Sequence, residues 1–186
     1  MAAKHVFREF TATTFDETNK AWREQLEKNA ESLFPNEILR VLDWAATRIS
    51  YDTKAADCAY GVFLDGEHVA SAIVEIVYHR KTAASMWVKM LDITLSPELD
   101  LSITDENQVI EAIARLFGVF GAAVVGSYKL TNNKATKVVK LYGRNPPLLA
   151  FLKAFGADIS KDARLKNLEV TLDGRWLVFK QSTVKK

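Results

Sequence analysis

The sequence predicts an α/β domain built on a mixed, mostly antiparallel sheet, and three observations predict it. Apolar residues alternate between periods of 2 and 3.6 along the chain, in the order β-α-α-β-β-β-α-β-α-β-β. Two tight-turn dipeptides, Asp65-Gly66 and Asp173-Gly174, join apolar runs and predict hairpins. One strand-helix-strand passage over 86–143 predicts a crossover between parallel strands, while the hairpins make the rest antiparallel.

Each element follows from local chemistry. His5 to Phe10 forms a first strand on Val6, Phe7 and Phe10. Thr14 and Glu17 make a capping box for a helix carrying Trp22, Leu26, Ala30 and Leu33. Pro35 ends that helix. Asn36 caps a second one, with Ile38, Leu42, Ala45 and Ile49 on one face and Val41 beside them. Tyr60–Leu64, His68–Tyr78 and the run 86–95 then form an antiparallel meander.

After Pro97 the period turns helical, with Thr104 or Asp105 as cap and Val109, Ile113, Leu116 and Phe120 as the stripe. Gly118, Gly121 and Gly126 place the end of this helix within 118–126. KLTNNKATK reads as a loop before a strand at 138–143. Asn145 caps the next helix, Pro146 and Pro147 occupy its first turn, and Gly156 closes it. The hairpin 168–172 and 176–179 completes a single domain over 1–186, with 181–186 expected to fray.

Composition excludes more than it selects. At 186 residues, 48% hydrophobic and 26% charged, with 8 Gly and 4 Pro, the chain has an ordinary globular mixture. It is neither collagenous, nor disordered, nor a disulfide scaffold. Cys58 is the one cysteine, so it rules out an internal disulfide and a multi-cysteine metal site. The three histidines stand on separate elements, so no metal is expected. A net charge of +2 names no partner, and nucleic acid is not expected. The N-terminal stretch lacks the apolar core of a secretory signal, and no uncharged apolar run reaches membrane-spanning length. The free thiol then fits a cytoplasmic setting, with no membrane partner.

The element order resembles that of the GNAT superfamily of N-acetyltransferases over nearly the whole chain. Two strings add to it. LDITLSPE (91–98) looks like the end of the family's fourth strand, and NPPLLAFLKAFGA (145–157) is similar to its fourth helix. The second string also resembles short acetyltransferase-like proteins of short-tailed bacteriophages, which implies a virion or the host cytoplasm as alternative locations. The family resemblance implies helices on both sheet faces. It also implies acetyl-CoA held along the fourth-strand backbone, here Ile93, Thr94 and Leu95, with Asn145 opening the following helix. Its diphosphate would rest on the amides of a glycine-rich loop.

Here that loop is LDLSITDEN (99–107), without Gly, Arg or Lys. Asp100, Asp105 and Glu106 stand where a diphosphate would arrive; as helix caps they are ordinary. The family's tyrosine acid falls on Leu152, which donates no proton. Tyr142 is the substitute, or else an amphipathic strand-edge residue. Deprotonating an amine needs a base. Asp92, between Met90 and Thr94, is the first candidate, and Glu75, between Ile73 and Val77, is the second. The alternative is a solvated face, or pairing with Lys89 or Arg80. Two functions therefore stand: a GNAT-fold protein with a degenerate cofactor site that binds another protein, and a divergent acyl-CoA-dependent N-acyltransferase. The sequence leaves the oligomeric state open.

Overall fold

A computed structural model describes residues 4–28, 35–49, 57–80, 86–102, 109–130, 138–143, 146–161 and 168–181. The elements are β1 (His5–Glu9), α1 (Ala12–Lys28), α2 (Pro35–Ile49), β2 (Asp57–Leu64), β3 (Ala70–Arg80) and β4 (Met86–Leu95). They continue with α3 (Pro97–Ser102), α4 (Val109–Leu130), β5 (Val138–Tyr142), α5 (Pro146–Lys161), β6 (Leu168–Asp173) and β7 (Trp176–Gln181). The seven strands run in the order β1-β2-β3-β4-β5-β7-β6. β4 and β5 pair in parallel; β1 with β2, β5 with β7, and β6 with β7 are antiparallel. This is a mixed, mostly antiparallel arrangement, as the alternating periods and the crossover predict.

The chain divides into two compact units, Met1–Glu75 with Ile93–Gly126, and Ile76–Asp92 with Ser127–Lys186. In the first, α1 and α2 cover β2 and β3 through Phe15, Trp22, Leu42 and Ala45 against Phe63 and Ile73. Two polar side chains of α1 fix the start of β3 by satisfying both backbone groups of Ala70. Thr18 Oγ1 accepts its N–H at 3.0 Å, and the Trp22 indole N–H donates to its carbonyl at 2.9 Å. α4 lies on β1: Gly118 faces the His5 ring, and Gly126 faces the Phe7 ring, which stacks on Tyr60 at 4.8 Å.

In the second unit, α5 packs on β7, with Gly156 against Leu177. Val88, Met90, Val139, Leu141, Leu177 and Phe179 form a fully buried sheet face.

Six boundaries differ from the sequence reading. Thr11, not Thr14, caps α1: its Oγ1 accepts the Thr14 N–H at 3.1 Å, and Thr14 Oγ1 accepts the Thr11 N–H at 2.9 Å. The reciprocal box forms three residues early, between two threonines, instead of using Glu17. Pro35 opens α2, where its missing N–H leaves no helical bond unmade. Residues 97–102 are helical, so a short helix is added to the expected order. α4 does not end within 118–126 but runs to Leu130. α5 likewise passes Gly156 and reaches Lys161. Both helices use glycine for close approach, not termination. At the C-terminus, Gln181 pairs with Leu168 and so belongs to the β6–β7 ladder and not to a frayed end.

By length and composition α4 would suffice to cross a membrane over Ile110–Leu130. Gly118 and Gly126 of this helix pack on β1, while Ile110, Ile113, Phe117 and Val125 are exposed.

Candidate functional site

Most of the residues that the resemblance implies lie along β4. Along this strand Val88, Met90, Asp92 and Thr94 are buried, while Trp87, Lys89, Leu91, Ile93 and Leu95 are half-buried. Asp92 is 8% exposed, which corrects the reading of it as part of a solvated face. It shares its face with Met90 and Thr94, as the period-2 pattern predicts. The β4–β5 ladder runs from Val88↔Val139 to Met90↔Leu141, so Asp92 lies two residues past its last pair. Ile93, Thr94 and Leu95 follow on the same strand.

Glu75 is half-buried on β3, between the fully buried Val74 and Ile76. Tyr142 ends β5 opposite Trp176, its ring 4.7 Å from that indole and 5.5 Å from the Arg175 guanidinium. These contacts make it part of an aromatic pair at the end of β5. Leu152, at the position of the family's acid, is buried. Asn145 lies outside the described residues.

The diphosphate position can be tested directly up to residue 102. Ser96 ends β4, its N–H donating to the Ser71 carbonyl at 2.9 Å. It then caps α3: its Oγ accepts the Leu99 N–H at 3.3 Å, and its carbonyl accepts the Asp100 N–H at 2.9 Å. The Glu98 N–H donates to Gln25 Oε1 of α1 at 3.4 Å. The three successive amides of Glu98, Leu99 and Asp100 are thus bonded within the protein. The Asp100 carboxyl is half-buried, with Oδ2 shielded and lacking a hydrogen-bond partner, and this desolvation raises its pKa. Of the segment 99–107, residues 99–102 are helical. Asp105 and Glu106 lie outside the described residues.

No protein-family model matches the chain, and no curated protein matches its sequence. Among solved structures, the chain is similar to an acetyltransferase from Thermus thermophilus, at 12% identity and a TM-score of 0.45 over 95% of each chain. It is also similar to Arabidopsis thaliana Naa50, determined in complex with the bisubstrate analogue CoA-Ac-MVNAL. That likeness has 11% identity and a TM-score of 0.38, over 96% of this chain and 99% of the other. The chemistry of the site is decided by the residues above, not by these likenesses.

Other chemistry has less to stand on. Among the described residues no group of three or more His, Cys, Asp or Glu could hold a metal ion. Cys58 is half-buried, as its small apolar character suggests. The basic loop 131–137 lies outside the described residues. The sequence reading missed Ser96 as a cap; the signal was a serine directly before Pro97, the N-cap and N1 positions of a helix start.

Proposed function

We propose that this chain is one GNAT-like domain over 1–186 with a degenerate cofactor site, acting by binding another protein. The observation that supports the first half is the Ser96 cap, whose hydroxyl and carbonyl take up the Leu99 and Asp100 amides in the segment that the resemblance assigns to the diphosphate. An acidic side chain already short of hydrogen bonds stands beside them.

The second half is supported by α4. Ile110, Ile113, Phe117 and Val125 are exposed along one helical face, from 42% to 84%. Gly121, in the same stripe, has open space where a side chain would be. A stripe of this kind on a helix fits a protein contact better than solvent. The phage-like string at 145–157 is the sequence's pointer to a virion component or a host-directed inhibitor.

The second reading is a divergent N-acetyltransferase. It is favoured by the buried Asp92 placed just past the end of the β4–β5 ladder, where a base beside Ile93–Leu95 would stand. Calorimetric titration with acetyl-CoA separates the two. The proposed reading expects no heat at millimolar acetyl-CoA; saturable heat that Asp92→Asn leaves intact while abolishing turnover would establish the second.

A further inference from the structure

The second compact unit has two sheet faces of opposite character. One is apolar and buried. The other alternates with it: Trp87, Lys89 and Leu91 from β4, Val138, Lys140 and Tyr142 from β5, and Trp176, Val178 and Lys180 from β7. The ladders set these in register, with Lys89 opposite Lys140, Lys140 opposite Val178, Val138 opposite Lys180 and Tyr142 opposite Trp176. None of the nine side chains is buried. They include three lysines, three aromatics and no carboxylate, in a chain whose acidic and basic residues almost cancel. On the outer strand β6 the same face carries Glu169 opposite Lys180 and Asp173 opposite Trp176.

The rings and charges hold one another. Lys89 Nζ lies 3.9 Å from the centroid of the Trp87 ring and 5.1 Å from that of Trp176. Trp176 in turn meets Tyr142 at 4.7 Å with a 43° tilt. We propose that this open face, with Trp87, Tyr142 and Trp176 as stacking surfaces and Lys89, Lys140 and Lys180 as phosphate contacts, binds single-stranded nucleic acid. Unpaired bases have π-faces for the rings while their phosphates meet the lysines, so one ligand uses both halves of the pattern. An acidic peptide would engage the cations and leave the rings idle. A duplex buries its base faces and would do the same.

The test is fluorescence anisotropy of the full chain with a labelled 12-nucleotide oligouridylate, a duplex of equal length and an oligoglutamate peptide. The single strand should bind saturably and best. Three phosphate contacts predict that its affinity falls about 20-fold between 50 and 200 mM salt. Lys140→Gln with Lys180→Gln, both outside the apolar core and adding no like charge opposite Glu169, should abolish binding without lowering the melting temperature. Trp176→Phe should keep most of the affinity, and Trp176→Ala should lose about tenfold. Absence of binding at 50 mM salt would overturn the proposal. So would equal binding of the duplex or the peptide, or unchanged affinity in the double lysine variant.

Discussion

The Leu99 amide donates to the Ser96 hydroxyl at 3.3 Å, and this bond ties the end of β4 to the first turn of α3. It makes Ser96 at once the last paired residue of β4's first-unit end, through the Ser71 carbonyl, and the cap of the next helix. Ser96→Ala removes the hydroxyl and leaves a buried N–H without its acceptor. The expected loss is about 1 kcal/mol in urea unfolding. Ser96→Thr should retain most of the stability.

The glycines of α4 give predictions of opposite sign on one helix. A Cβ at Gly121 would have nothing within 4 Å, so Gly121→Ala should stabilise by about 1 kcal/mol through helix propensity alone. A methyl group at Gly126 would meet the Phe7 ring, so Gly126→Ala should destabilise by about 1–3 kcal/mol despite the same gain in propensity. Thermal melting of the two variants measures the contrast.

These glycines also mark where sequence reasoning stops. The hairpins at Asp65-Gly66 and Asp173-Gly174 were legible because each turn needs a positive φ, which Gly66 and Gly174 adopt. The parallel crossover was legible from element order. The length of α4 was not, since a glycine that ends a helix and one that admits a neighbouring ring are written alike. Asp92's face followed from alternation along β4, but its burial depends on packing that no local pattern encodes. The amides of α3 were hidden for a related reason: the loop lacked glycine, and its helical form depends on Ser96.

Stability should depend on pH in two separate windows. The pKa of His5 is lowered from 6.5, first by burial and then by the charge of Arg115. The unfolded chain therefore binds that proton more readily, and stability falls as pH drops below 6.5 toward the folded value. His5→Gln should flatten this part of the profile. Asp100 has its pKa raised from 3.8 by burial, so the folded state takes up the proton first, and stability falls as pH rises through the interval above 3.8. Asp100→Asn should stabilise the chain at neutral pH and give no such gain below pH 3.8. Urea midpoints measured from pH 3 to 8 check both signs.

The central proposal is that the chain, read as GNAT-like, lacks a working diphosphate cradle. Calorimetry with acetyl-CoA at millimolar concentration, paired with melting of the same sample, tests it most directly. The predicted result is no binding heat and an unchanged melting temperature. The contradicting result is a saturable heat with stabilisation of about 2.7 kcal/mol at 100 times the dissociation constant.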